Sequence, residues 1–116
     1  MHQPVRVPNG IVHFDVAGPD TAALHGFYAR VFGWTVDERG PGYALLGTPG
    51  GGPDGAVVEA DDASLTVGVV VRDLDAATDA AVAGGGMVTM PVTDNGWVVK
   101  AQIADPAGNR VTLIQA

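Results

Sequence analysis

The sequence predicts an α+β fold in which two βαβββ modules, about 9–60 and 63–116, make up a single domain of 116 residues. Three observations point there. Apolar residues alternate with period two in short blocks, two stretches carry them at helical spacing behind an aspartate, and the order of blocks in the first half recurs in the second.

The first block, Ile11-Val12-His13-Phe14-Asp15-Val16, reads as a strand with Val12, Phe14 and Val16 on one face and Ile11, His13 and Asp15 on the other. Asp20 then caps a helix in which Leu24, Phe27, Tyr28 and Val31 recur at i, i+3, i+4 and i+7, and Gly33 stops it. Strands over 34–38, 43–48 and 56–60 follow. The last two are divided by the glycine- and proline-rich run 49–55, which is a turn or a flexible loop. The second half repeats this order: a strand over 65–71, then a helix opened by Asp73 with Leu74, Ala77, Ala81 and Val82 on one face and ended by Gly84-Gly85-Gly86. Strands over 87–90, 97–104 and 110–115 close the chain, with turns at 93–96 and 105–109. A single offset of 53, set by Gly33 and Gly86, also aligns Val16 with Val69, Asp20 with Asp73, Ala23 with Ala76, Gly55 with Gly108 and Val58 with Val111.

Composition narrows the function. There is no cysteine, so disulfides, thiolate metal sites and a cysteine nucleophile are excluded. With 6 Lys+Arg against 13 Asp+Glu the formal charge is −7, so nucleic acid and anionic membranes are not expected partners. The longest uncharged stretch near the middle of the second half is broken by three glycines and is too short for a membrane span. Met1-His2-Gln3-Pro4 lacks the basic and apolar pattern of a signal peptide, so a soluble, cytoplasmic chain is expected. Ser64 is the only serine, no G-x-S-x-G elbow occurs, and the glycine runs lack dinucleotide-site spacing.

Three segments carry a family resemblance: Val12-His13-Phe14-Asp15-Val16, Phe27-Tyr28-Ala29-Arg30-Val31-Phe32-Gly33-Trp34, and the ending from Asp105-Pro106-Ala107-Gly108-Asn109 to Gln115. Together they resemble the vicinal oxygen chelate superfamily, which includes glyoxalase I, bleomycin-resistance proteins and extradiol dioxygenases. The resemblance implies a curled mixed sheet whose two modules enclose a cup for a metal or ligand, and it implies a homodimer.

In metal-dependent members the ligands come from the first and last strands of each module. Carried over, those positions are His13 and Glu59 in the first half and Thr66 and Thr112 in the second. Threonine hydroxyls are poor donors to a catalytic divalent ion, which needs three good protein ligands. The expectation is therefore no cofactor, with a divalent metal possible only if Asp15, Asp94 or a second subunit completes the set. The extradiol reading lacks its second histidine.

The expected ligand-binding residues are His13, Asp15, Glu59, Thr66, Trp97 and Thr112, with Trp97 as a ring on which a planar ligand stacks. His25 is read as a surface residue, His2 as part of a tail without a role, and Lys100 and Gln102 as sharing one strand face. The leading function is a small-molecule binding protein of the bleomycin-resistance type. The alternative is a lyase, isomerase or epimerase using His13 as general base with Glu59 orienting it or sharing a metal. A non-catalytic interaction module is the third.

Overall fold

The computed structural model describes residues 8–116, so His2 lies outside the described residues. They form two compact units, His13–Thr66 on one side and 8–12 with Val67–Ala116 on the other.

The first unit contains β1 (Ile11–Gly18, whose first two residues fall in the other unit), α1 (Thr21–Phe32), β2 (Thr35–Gly40), β3 (Tyr43–Gly47) and β4 (Asp54–Glu59). Its strands lie in the order β2-β3-β4-β1, with β4 parallel to β1 and antiparallel to β3. Asp20 caps α1 by accepting from the backbone N–H of Ala23 at 3.1 Å, and Gly33 ends it in the left-handed region at φ 70°. Val16, Leu46 and Val57 form the buried core of this unit, with Phe14, Leu24, Tyr28, Trp34 and Val36 packed against it. Leu24 and Tyr28 thus fulfil the expected helical stripe. Phe27 and Val31 do not, since both stay more than half exposed. Phe27 meets the cluster only edge-on, its centroid 5.2 Å from Tyr28, while Tyr28 stacks on Trp34 at 5.5 Å between centroids.

Gly55 sits opposite Phe14 in the β1–β4 register, and a Cβ there would lie 2.5 Å from the Phe14 ring. Gly55→Ala is therefore expected to cost about 1–3 kcal/mol, as overpacked cores do, read as a lowered denaturant midpoint at unchanged slope.

The second unit holds β5 (Ser64–Val71, beginning in the first unit), α2 (Leu74–Ala83), β6 (Met87–Asp94), β7 (Val99–Ala104) and β8 (Arg110–Gln115), in the order β5-β8-β7-β6. Asp73 caps α2 through the N–H of Ala76 at 3.1 Å, and the C-cap is Gly84 rather than Gly86. Leu74 is buried with Val71, Ala101 and Leu113, and Ala77 packs on this cluster, but Val82, expected on the same face, is exposed. Gln115 ties the end of β8 to the helix start: its Oε1 accepts from the N–H of Leu74 at 3.1 Å and its Nε2 donates to the carbonyl of Arg72.

In the first unit β1 and β2 run on to Gly18 and Gly40, and β4 starts at Asp54, inside the run expected as a turn or loop; in the second, two strand ends differ by more than one residue. β6 runs on to Asp94 through Pro91, which an outermost strand with register shifts tolerates. β7 starts only at Val99, because Asn95 Oδ1 accepts from the N–H groups of Trp97 and Val98 and folds them into a turn.

The 105–109 turn is organised by one carboxylate. Asp105 Oδ1 accepts from the N–H groups of Ala107 and Asn109, and Oδ2 from the Asn109 side chain, all at 2.9 Å. The side-chain bond from Asn109, then the backbone bonds, hold its pKa below the ordinary 3.8. A carboxylate depressed on folding contributes stability present above its unfolded pKa and lost as pH falls through the folded one. Asp105→Asn is thus expected to flatten the loss of stability below pH 3.8, checked by denaturation series across that range.

The organisation of the two units is alike up to the helix, but not beyond it. Gly18 and Val71 each precede their capping aspartate by two residues, which anchors the offset of 53. At the last strand the registers differ. Gly18 faces Glu59 and accepts from the N–H of Ala60, whereas Val71 faces Gln115 and accepts from the N–H of Ala116. Glu59 is therefore the counterpart of Gln115. Thr112, which faces Gly68, has as its counterpart Ala56, which faces Asp15. The letter match of Gly55 to Gly108 misleads because Gly55 lies inside β4 under Phe14, while Gly108 is a turn residue at φ 98°.

Among the described residues no helix is long and apolar enough to cross a membrane.

Candidate functional site

Alternation along β1 turns Phe14 and Val16 to the helix-covered face and His13 and Asp15 to the opposite face. The register carries that second face across the unit: Asp54 lies opposite His13, and Asp15, Ala56, Leu45 and Asp37 form one cross-strand row. A hollow of about 250 Å³ opens there, lined by His13, Thr35, Asp37, Leu45, Gly47 and Asp54 among others.

His13 and Asp15 are two residues apart on an extended strand, so their side chains project side by side. His13 Nε2 and Asp15 Oδ1 are 2.8 Å apart, and the two side chains are 33% and 32% exposed. Such a pair is wet enough to meet a ligand and dry enough for its hydrogen bond to matter. Asp37 is bonded by Arg39, from Nε at 2.9 Å and from the terminal nitrogen at 2.8 Å. Asp54 Oδ1 accepts from the N–H of Thr48 at 3.0 Å, which closes the 49–53 loop.

Glu59 is not on this face. It shares the parity of Gly55 and Val57, with Val57 in the helix-side core, so its carboxylate projects from the face opposite His13. The expectation that Glu59 orients His13 is corrected accordingly: the carboxylate beside His13 is that of Asp15.

In the second unit Thr112 lies between Gly68 and Gln102, away from the Val69, Ala101 and Leu113 face that packs on α2. Gln102 and Lys100 share its face, and Gln102 Oε1 accepts from Thr89 Oγ1 at 3.1 Å. Thr66 stands near the start of β5, half-buried and two residues before Gly68. Trp97 is 95% exposed on its Asn95-braced turn, whereas Trp34 closes the core.

His25 is the other departure. Its side chain is only 15% exposed, Nδ1 lies 3.4 Å from Glu38 Oε1, and Nε2 is buried without a partner among the described residues. It packs toward β2 and away from the His13 face, as a structural histidine rather than a surface one.

Thr35, Asp37 and Asp54 escaped the sequence reading. The signal for the first two was present in the alternation of Thr35, Val36 and Asp37 around one apolar position.

A family model described as a glyoxalase-like domain matches residues 5–114. The chain belongs to the glyoxalase-like family. Two curated relatives of this glyoxalase-like chain, from Mycobacterium tuberculosis and Mycobacterium bovis, bear the name "Putative glyoxylase CFP32" and are 32% identical over 114 residues, covering 88% of this chain. The glyoxalase-like chain spans 44% of the length of those relatives. Among solved structures it is similar to methylmalonyl-CoA epimerase from M. tuberculosis, with a TM-score of 0.69 and 19% identity over 98% of this chain and 93% of that one. It is also similar to the Mn(II)-bound glyoxalase of Novosphingobium aromaticivorans, with a TM-score of 0.71 and 18% identity over 95% of this chain and 39% of that one. These likenesses establish the α+β glyoxalase fold.

A metal of the family's kind does not fit the donor set of this glyoxalase-like chain. Corrected for register, the four family positions hold His13, Ala56, Thr66 and Thr112, which is one imidazole, a methyl group and two hydroxyls. Among the described residues no three His, Asp or Glu side chains are grouped to hold an ion.

Proposed function

We propose that this glyoxalase-like domain binds a small organic molecule against the His13 face of its first unit, without a resident divalent metal. The observation that carries the reading is the hollow lined by His13, Thr35, Asp37 and Asp54 on the face opposite the core. Its volume of about 250 Å³, with Leu45 among a few convergent polar groups, suits a molecule at or below the small end of the usual ligand range. The donor set supports the metal-free part, since neutral hydroxyls and alanine give zinc, nickel or manganese little to hold.

Amide chemical-shift mapping with a panel of small drug-like and metabolite-like compounds tests it. Binders are expected to perturb His13, Asp15, Thr35 and Asp54 and to raise the melting temperature with concentration. Titration with Mn²⁺, Ni²⁺ and Zn²⁺ is expected to give no stoichiometric complex. One tight metal abolished by His13→Ala overturns the metal-free reading, and shifts confined to other surfaces overturn the site. Pairing into a homodimer belongs to the same reading, and sedimentation velocity over a range of concentrations decides it.

The 2.8 Å bond between His13 and Asp15 favours one second reading, an isomerase, epimerase or lyase in which His13 is the general base. Exchange of an activated C–H for solvent deuterium, in a panel of α-hydroxy ketones and thioesters, would show it, with loss in His13→Ala.

A further inference from the structure

A carboxylate only accepts hydrogen bonds, so the nitrogen 2.8 Å from Asp15 Oδ1 must carry the proton: His13 is held as the Nε2–H form. Nδ1 is then left as an acceptor whenever the ring is neutral. Among the described residues it has no hydrogen-bonding partner, and it is not sealed from solvent. We infer that Asp15 is the positioning residue of His13, and that the ligand of this hollow presents a hydrogen-bond donor, a hydroxyl, amide N–H or ammonium, to His13 Nδ1. The inference rests on the small-molecule reading above.

The rest of the lining agrees in sign. Asp54 and Asp37 are acceptors, the Thr35 hydroxyl works either way, and no lysine lines the hollow. The nearest cation, Arg39, is committed to Asp37 through two nitrogens. An acceptor-only anion would meet the lone pair of Nδ1 and the carboxylate of Asp54, which takes part in no ion pair among the described residues. A donor meets acceptors that already point along one face.

Long-range ¹H–¹⁵N spectra of the histidine rings test the positioning role, with His13 assigned by its loss in His13→Ala. The expected result at neutral ring charge is a protonated Nε2 with a slowly exchanging ring proton and an unprotonated Nδ1. Asp15→Ala should lose that slow proton, and Asp15→Asn, whose amide oxygen still accepts, should keep it; amide dispersion reports that each variant is folded. A wild-type proton on Nδ1, or a slow Nε2 proton that survives in Asp15→Ala, overturns the role of Asp15.

The ligand class is tested with three probes that share one ring: benzamidine, benzyl alcohol and benzoate. The two donors are expected to shift His13 Nδ1, and benzamidine to bind at least about tenfold tighter than benzoate, the worth of one charge-assisted hydrogen bond. Benzoate binding as tightly overturns the ligand class. If none of the three binds, the small-molecule reading fails and the ligand class with it, while the ring-proton signal still decides Asp15 separately.

Discussion

Trp34→Ala is expected to lower the unfolding free energy by about 3 kcal/mol, the lower end of the range for large aromatic truncations because the ring is only half-buried. The indole touches three partners at once. Its centroid lies 5.6 Å from Phe14, 5.5 Å from Tyr28 and 4.9 Å from Phe32, so removal strips β1 and α1 of a shared filler. A loss of that size is expected to lower the melting temperature by about 10 °C or more. The matched control is Trp97→Ala, expected to stay within about 0.5 kcal/mol of wild type because nothing covers a ring that is 95% exposed. Fluorescence separates the two variants. With Trp97 as the only tryptophan, emission should already be red-shifted in the folded state; with Trp34 alone it should shift on unfolding. Equal stability losses would show that the ring cluster is not what holds α1 to the sheet.

His13→Ala should weaken any ligand found on the first unit's face by about 10–100-fold, the worth of one hydrogen bond to a polarised group. Glu59→Ala should leave the same affinity within about twofold, since the two side chains lie on opposite faces and distant sites act independently. Isothermal titration of both variants with one ligand gives the ratio directly. A comparable loss in the two would return Glu59 to the site and contradict the strand register. Asp15→Asn should fall between them, because it keeps an acceptor beside His13 and removes its charge.

Much of this was legible in the residues, for reasons that can be named. Helix starts were, because an aspartate at the cap does one thing and Asp20 and Asp73 both do it. Strand faces were, because His13 and Asp15 alternate with Phe14 and Val16 and only one set is apolar. The family was, because its motifs cover both ends of the chain. The extent of the helical stripe was not. Spacing places Phe27 and Val31 beside Leu24 and Tyr28, but how far the sheet covers the helix is set by tertiary packing, which leaves both more than half exposed.

In the candidate site, the shared face of His13 and Asp15 was legible and the face of Glu59 was not. His13 and Asp15 could be paired from local geometry alone, since both lie on one strand. Glu59 was carried over as the family's last-strand position, in step with an offset set by glycines, and a glycine keeps its letter whether it relieves a turn, as Gly108 does, or yields space to a ring, as Gly55 does. Only hydrogen-bond partners tell the two uses apart. Asp37 and Asp54 belong to strands whose pairing no sequence fragment announces.

The three-residue difference between the last strands of the two units bears on which side chains can meet His13. Three is odd, and an odd slip along a strand exchanges its two faces. A slip that brought the carboxylate of Glu59 to the place now held by Ala56, opposite Asp15, would also turn Val57 out of the core and part Gly55 from Phe14. The packing on the helix side of the sheet therefore decides what chemistry the other side can present.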